Sequence, residues 1–447
     1  MERRIIGMDL GVRSAHVAVV IDEAGAVLAR RRCRPVRSSF EALEALALRG
    51  AGDDVHLEVV VEPTGVSWLP VAVYFARRGH VVYRVSSAKA HTMRKLLAPH
   101  AKSNSIDAMS LARIAIFDPE HLAPLELASA EQASLDRRAR AADFLTDLIA
   151  EHKTRARELA RQVMPTVAEV FTNKFGKADL AVLEHYGDPR AILALGEEAL
   201  TRFIVDKSNG NHGAERARAW ITVAEEAVAV YGDDPAVPYT DVAAELASEA
   251  CLLHLLEAER KAHAAARETA YQKADPAGLA RSLPGVATVG GPVLVAAMGR
   301  PGRFPDGLAF KSFTGLAPKS SGTGDSESKG MGISKAGPRR LRSQLVMSAN
   351  VARKLDPQLA AVYWSQMTER GAHHQKAICV VAARLAERSW AVLARGEPYV
   401  LRDTDGRQVT QAQAKAIIAE RHLVADDVRA RRSARRRNAR RAPHQVL

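Results

Sequence analysis

Short apolar runs, separated by turns and helical segments, predict a sheet in the first 85 residues. The predicted strands are, in chain order, Ile5–Asp9, His16–Ile21, Ala26–Arg31, Leu57–Val61 and Val81–Val85. The turn at residues 22–25 joins the second and third strands into a hairpin. The fourth strand is almost wholly apolar, which is typical of a strand that is covered on both faces.

Helices are predicted between and after the later strands. One helix takes Ser39 as its N-cap, runs to Arg49 and is stopped by Gly50, and another runs from Trp68 to Arg78. A further helix opens near Asp107. The order of three strands, helix, strand, helix, strand, helix places a hairpin before the crossovers. This order favours an RNase H-like α/β layer over a doubly wound sheet.

The rest of the chain is predicted to be all-α. Long amphipathic helices near residues 129–163 and 243–272 flank a helical insertion. Helices of this length with a narrow apolar stripe predict a coiled coil that joins two copies, with packing inside one chain as the alternative. We therefore expect an α/β plus all-α protein divided at residues 1–125, 126–275, 276–400 and 401–447, with a long helical coiled-coil middle and a mostly helical C-terminal domain.

The charge balance points to a polyanionic partner. Lysine and arginine number 64 against 51 acids, for a net charge of +13, and phosphate contacts release counterions. A basic surface that only aids solubility is the alternative. The arginine-rich segment Arg429–Arg441 is predicted to clamp phosphates without reading sequence and to be disordered until bound.

Composition also excludes several classes of protein. No apolar run is long enough for a membrane span, and the N-terminus lacks a signal-peptide pattern, so a cytoplasmic protein is expected. Cys33, Cys251 and Cys379 have no paired spacing, which argues against a disulfide framework or a zinc site. Tyr363 and Trp364 lie at helical spacing among apolar residues and are predicted to belong to the core.

Three acids at element ends form the first candidate site. Asp9 ends the first strand ahead of Gly11, Glu62 ends the buried fourth strand, and Asp107 opens a helix on the same face as Asn104. Convergent carboxylates repel unless a cation joins them, and Mg²⁺ prefers such oxygen ligands. Two ions could activate an attacking oxygen and stabilise a leaving one in phosphoryl transfer. Each acid alone would more often be a surface residue.

A Gly/Ser/Lys-rich segment at residues 315–337 is the second candidate. Its glycines allow close approach of the backbone to phosphate, and Lys319, Lys329 and Lys335 supply charge. A serine there is either a phosphate ligand or an activated nucleophile. Gly285, in Pro284-Gly285-Val286, opens a third candidate, a helix-hairpin-helix-like turn that would hold a DNA phosphate, or else an ordinary interhelical turn.

Together and in this order, the segments resemble the DEDD-type insertion-sequence transposases, the bridge-RNA-guided recombinases of bacterial mobile elements. The similarity spans nearly the whole chain. Its N-terminal marks are Gly7–Gly11, Val61–Gly65 and Lys102–Ala108, and its C-terminal marks are Leu283–Val286, Phe313–Pro318, Ile333–Gly337 and Arg339–Arg342.

The resemblance implies a RuvC-like domain joined through a coiled coil to a serine-bearing transposase domain. Asp9, Glu62 and Asp107 match the first, second and fourth family acids, which bind magnesium. Ser321 best matches the nucleophile that forms a covalent phosphoserine link with DNA, and Ser320 is its nearest rival. The resemblance further implies a structured guide RNA that pairs with target and donor DNA, and dimers that assemble into a tetramer. It also implies a bacterial, nucleoid-associated protein.

One position departs from the family pattern, because Asn104 stands where the third acid is expected. An amide oxygen can ligate magnesium but brings no charge, so metal affinity should fall. We expect a working variant that excises and inserts its own element. A RuvC-like endonuclease that uses activated water and a non-catalytic RNA- and DNA-binding protein are the alternatives. The expected nucleic-acid contacts are Gly285, Lys319, Lys329, Lys335, Arg339, Arg340, Arg435, Arg436 and Arg437.

Overall fold

A computed structural model describes residues 2–432 except 53, 172–175, 233, 235, 320–321, 324–325 and 328–331, with only the backbone of 322–323 and 326–327. The chain divides into two compact units, Met1–Ser129 and Ala130–Leu447. The finer division of the second unit at 275/276 and 400/401 stays a prediction. Within the described ranges, no helix is long and apolar enough to cross a membrane.

The first unit is built on a five-stranded mixed sheet. Its strands are β1 (Glu2–Asp9), β2 (His16–Asp22), β3 (Val27–Cys33), β4 (Val55–Val61) and β5 (Val81–Arg84). Their spatial order is β3-β2-β1-β4-β5, with β1, β2 and β3 antiparallel and β1, β4 and β5 parallel. All five predicted strands are thus confirmed, and the sheet is compatible with an RNase H-like fold.

Helices cover both faces of this sheet. They are α1 (Arg37–Ala47), α2 (Trp68–Arg77), α3 (Ser87–Leu97) and α4 (Asn104–Phe117). Side chains of β1 alternate between the two faces, so that Ile6 packs in a core with α1 and α2, whereas Ile5 packs in a core with α3 and α4. The predicted cap at Ser39 is wrong. The Ser39 amide already bonds to the Val36 carbonyl inside the first turn of α1.

Gly7 is the point where α4 crosses β1. A Cβ atom on Gly7 would lie 2.0 Å from the Ala108 carbonyl oxygen and 2.4 Å from the Ala112 amide nitrogen. A residue with any side chain would therefore push α4 away from the strand. This close approach sets the distance between the end of β1 and the first turn of α4.

The second unit is mostly helical. Its helices are α5 (Ala130–Val163), α6 (Lys177–Tyr186), α7 (Pro189–Ser208), α8 (Ala214–Tyr231), α9 (Tyr239–Ala274), α10 (Leu279–Ser282), α11 (Gly290–Met298), α12 (Gly307–Thr314), α13 (Arg339–Ala352), α14 (Pro357–Thr368), α15 (His374–Arg395) and α16 (Gln411–Arg421). A short antiparallel hairpin, β6 (Gly322–Thr323) and β7 (Ser326–Glu327), lies between α12 and α13.

The two long helices, α5 and α9, pair with each other inside the chain. The pairing is antiparallel, because Leu135 near the start of α5 shares a core with Tyr271 near the end of α9, whereas Val163 shares one with Val242. Ion pairs such as Lys153–Glu257, at 3.0 Å, cross the pair. Of the two packing modes that the sequence allowed, the structure shows the one within a single chain, so these helices by themselves give no argument for a dimer.

Two hydrophobic cores hold the second unit together. The first lies between α5, α9 and the insertion helices α6–α8 and includes the fully buried Trp220. The second lies among α10–α15, the start of α5 and the end of α9. Tyr363 is 2% exposed in this core and Trp364 packs against it, which confirms the prediction for both rings.

Candidate active site

The parallel pairing of β1 with β4 sets two of the predicted acids side by side. Met8 and Val61 are paired in register, so Asp9 at the end of β1 and Glu62 directly after β4 lie at the same edge of the sheet. Asp107 comes from the first turn of α4. All three line one cleft of about 470 Å³.

The electrostatics of this cleft raise the pKa of Asp9. Burial is the largest cause, followed by the charges of Asp107 and Glu62, while Lys102 and the backbone amide of Leu10 act in the opposite direction. Asp107 and Glu62 therefore lie close enough to Asp9 to repel its carboxylate. Such repulsion is relieved when a divalent cation is present, and the all-oxygen donor set suits magnesium.

The carboxylates do not form a preassembled metal centre. Among the residues that the structure describes, no group of three His, Cys, Asp or Glu side chains is placed to hold a metal ion. Arg94 of α3 instead contacts Asp107, with its Nε 3.4 Å from Oδ1. A metal would have to draw the acids together, and Asp107 would have to exchange part of its contact with the guanidinium for the ion.

Asn104 does not share the cleft with the three acids. It is the first residue of α4 and is exposed, one turn ahead of Asp107, and it is not among the residues that line the cleft. The helix begins there because Ser103 caps it, its Oγ accepting from the Ile106 amide at 3.2 Å. Of the four predicted metal ligands, three line one cleft and Asn104 does not.

Several residues of the cleft were missed by sequence reasoning. His91 and Arg94 of α3 line it, as does Lys102 of the loop before α4. Lys102 belongs to the segment that carries Asp107, but its charge was given no role. Gly7 could have been found, because a glycine inside an otherwise apolar strand indicates close approach of another backbone.

The two predicted serines, Ser320 and Ser321, and Lys329 lie outside the described residues, but the ends of their segment are described. The Lys319 amide donates to the Gly332 carbonyl at 2.9 Å. Arg342 Nη1 donates to the carbonyl of Lys335 at 3.2 Å, to that of Gly337 at 3.1 Å and to that of Thr314 at 3.4 Å. One guanidinium group thus ties together the two ends of the segment.

Close glycine packing adds to this anchor. Gly315 has a φ of +72°, and a Cβ atom there would lie 2.8 Å from the Gly337 amide nitrogen. A Cβ atom on Gly337 would lie 1.8 Å from the Phe313 carbonyl oxygen. Only glycine fits at either position, so the backbone on both sides of the serine segment is fixed.

A basic groove of about 960 Å³ adjoins this anchor. Its cationic lining residues are Lys311, Lys319, Lys335, Lys376, Arg342 and Arg384. Glu387 is the one acid among the described lining residues, and it is bonded to Lys311 at 2.7 Å and to Arg384 at 3.0 Å. Lys335 has a φ of +59°, which is unusual for a residue with a side chain. The groove has the charge that a phosphate backbone requires.

The remaining predicted nucleic-acid contacts that the structure describes lie outside the basic groove, in different environments. Arg339 is exposed, whereas Arg340 forms an ion pair with Asp143 of α5. Gly285 has a φ of +74°, and a Cβ atom there would lie 2.2 Å from the Ser348 carbonyl oxygen of α13. Packing against α13 therefore explains this glycine, as expected of an ordinary interhelical turn. Arg435, Arg436 and Arg437 lie outside the described residues.

Comparison with known proteins agrees with these features. Residues 6–165 match a family model described as "Transposase", for DEDD transposases of the IS110 type, and residues 277–364 match one described as "Transposase IS116/IS110/IS902 family". The chain is 27% identical over 353 residues to the "Insertion element IS110 uncharacterized 43.6 kDa protein" of Streptomyces coelicolor, covering 77% of this chain and 83% of that protein. It is 33% identical over 149 residues to the "Transposase for insertion sequence element IS1328" of Yersinia enterocolitica, covering 32% of this chain and 41% of that one.

Proposed function

The chain belongs to the IS110-type DEDD transposases, and on that premise we propose that it cleaves and rejoins the DNA of an insertion sequence with a magnesium-binding acidic cleft and a serine nucleophile. The observation that carries the proposal is the meeting of Asp9, Glu62 and Asp107 in one cleft, where burial and then the charges of Asp107 and Glu62 raise the pKa of Asp9. Unrelated surface acids would not be expected to line the same cleft.

Asp9, Glu62 and Asp107 would hold magnesium. A bound ion would supply a Lewis acid that activates the attacking oxygen and stabilises the leaving one. Arg94 keeps the Asp107 side chain over the cleft, and Lys102 lowers the repulsion at Asp9. Asn104 does not line the cleft and would have to turn toward it to act as a neutral oxygen ligand. With that movement, the site is proposed to work as an Asp-Glu-Asn-Asp variant.

Ser321, with Ser320 as the rival, is proposed as the nucleophile. The serine hydroxyl gives up its proton and forms an ester with the scissile phosphorus, while the departing DNA strand leaves with a free hydroxyl group. Attack by a strand hydroxyl on that ester reverses the step and releases the serine. Anchoring of the segment by Arg342 and the neighbouring basic groove support this role, because a nucleophile must be held in place against its phosphate.

A denaturing gel of reactions with the element-end DNA tests the proposal. We expect a covalent protein–DNA adduct that requires Mg²⁺ and that is lost in Ser321→Ala but kept in Ser320→Ala. We also expect Asp9→Asn and Glu62→Gln to abolish it. Cleavage without an adduct would instead support an endonuclease that uses water. Binding of DNA and RNA without cleavage would leave a non-catalytic nucleic-acid-binding protein.

The proposed partners are the element and target DNA, a structured guide RNA and further copies of the chain. The guide RNA is supported by the family alone, and the expected sign is a non-coding stretch beside the gene whose transcript copurifies with the protein. Dimers and a tetramer on DNA also stay predictions, to be measured by light scattering with and without nucleic acid. A chain that remains monomeric on its element ends would contradict the proposed assembly.

A further inference from the structure

A small pocket of about 250 Å³ lies between the end of α13 and the segment from α16 onward. Its polar lining comes from Arg353 and Lys354 after α13, Lys415 of α16, and His422 and Arg429. None of the described residues that line it is Asp or Glu. Four permanent cations thus line a pocket to which the described residues contribute no carboxylate.

Two of these side chains have polar atoms that are left unpaired inside the fold. Both ring nitrogens of His422 and the Nε of Arg429 are shielded from solvent and have no partner within hydrogen-bond distance among the described residues, although the Arg421 backbone acts weakly on the imidazole. A neutral imidazole carries one N–H and an arginine Nε always carries one, so at least two donors are unused. Buried donors without an acceptor are unfavourable, and this arrangement indicates a ligand that brings acceptors.

Arg353 is held in place on the other side of the pocket. Its guanidinium stacks on the Tyr363 ring, 4.3 Å from the centroid, and its Nε donates to the Asn350 Oδ1 at 3.0 Å. Tyr363 is itself fixed by a 2.8 Å hydrogen bond between its hydroxyl and the His374 Nδ1. The Nη groups of Arg353 donate to none of the described residues. They are therefore available to an anion in a fixed orientation, which lowers the entropy lost on binding.

The neighbouring guanidinium groups repel each other. Burial above all, and the charge of Arg429, lower the pKa of Arg353, while Tyr363 acts in the opposite direction. Arg429 has a distant partner in the exposed Asp426, with 3.4 Å between Nη1 and Oδ1. An anion between the two arginines would remove the repulsion.

We propose that this pocket binds a phosphate group. A phosphate carries up to two negative charges and presents several acceptor oxygens, which suits four cations and the unused donors better than a single carboxylate does. The phosphate could come from a nucleic-acid backbone, because the sequence continues from Arg429 into the arginine-rich segment that ends at Arg441. A free phosphate or a mononucleotide offers the same group.

Titration of inorganic phosphate into the full chain tests the proposal. Binding is followed by calorimetry and thermal unfolding in EDTA, against chloride at equal ionic strength. We expect saturable binding that falls by about tenfold or more when Arg353→Gln and Arg429→Gln are combined. Lys415→Gln removes an exposed lining charge and should weaken binding several-fold without affecting the fold. Arg395→Gln, at the exposed end of α15 and outside the pocket, is the matched control and should bind as the wild type does.

The same variants separate the two phosphate sources. A short DNA duplex whose binding is weakened in the double variant and competed by phosphate identifies a nucleic-acid backbone. Unchanged DNA binding together with lost phosphate binding identifies a free phosphate-bearing ligand. Both results uphold the site. No saturable phosphate binding by the wild type, or equal binding by all variants, overturns it. Neither magnesium nor strand cleavage enters these measurements, so the result is independent of the proposed chemistry.

Discussion

The substitution Gly7→Ala tests whether the crossing of β1 and α4 builds the acidic cleft. The new Cβ would lie 2.0 Å from the Ala108 carbonyl oxygen, and real contacts essentially never fall below 3.0 Å, so α4 must move by about 1 Å. Overpacking costs about 1–3 kcal/mol, and the smaller conformational freedom of unfolded alanine offsets about 0.4–1 kcal/mol. We expect a net loss of up to about 2.6 kcal/mol in the free energy of unfolding.

The effect on activity should exceed the effect on stability. Asp107 lies in the first turn of α4 and moves with it, and a misplacement of about 1 Å can lower a rate about 100-fold. The assay is the rate of Mg²⁺-dependent adduct formation, measured well below the unfolding temperature. Gly52→Ala is the control, because a Cβ atom at Gly52 meets nothing within 4 Å. A Gly7→Ala protein that folds and reacts within a few-fold of the wild type would refute this explanation of the cleft.

Three further predictions follow from the charges of the chain. Because the folded protein raises the pKa of Asp9, stability is lost as the pH rises through that pKa. In thermal scans with EDTA, Asp9→Asn should therefore raise the melting temperature at pH 7, and this gain should shrink toward acid pH. Equal melting temperatures of the variant and the wild type at pH 7 would contradict the prediction. Arg342→Gln should slow adduct formation, because Arg342 ties together both ends of the serine segment. Binding of element-end DNA, measured by gel shift, should fall only a few-fold. An unchanged rate of adduct formation would show that Arg342 does not position the serine. Removal of residues 433–447 should weaken binding evenly across DNA sequences and flatten its salt dependence, whereas an altered choice of site would contradict a non-specific clamp.

The elements that have a local hydrophobic pattern could be predicted from the sequence. Strands β1–β5 follow from short apolar runs and turns, and the placement of Asp9 and Glu62 follows from the rule that neighbouring parallel strands end at the same edge. The partner of α5 could not be predicted in the same way. The apolar stripe of α5 could pack equally well against α9 of the same chain or against a second copy of the chain. Only the tertiary structure distinguishes these two partners.

The cleft shows the same division between local and tertiary information. Asp107 could be assigned to the first turn of a helix, but its distance from Asp9 depends on the backbone contact at Gly7, which no periodicity encodes. The contact between Arg94 and Asp107 joins α3 to α4 across a loop and leaves no trace in residue spacing. Sequence reasoning therefore found the acids and missed the cations that accompany them.

The departure at Asn104 concerns charge and leaves the fold unaffected. Ser103 caps α4 through the Ile106 amide, so the start of the helix does not depend on an acid at the next position. Asp107 keeps its place in the first turn, where unpaired helix amides favour a negative charge. Burial, and then the charges of Asp107 and Glu62, already raise the pKa of Asp9, and a further nearby carboxylate would add to the repulsion in the metal-free protein. Asparagine at this position adds no charge, so we expect residue 104 to affect magnesium affinity more than the fold.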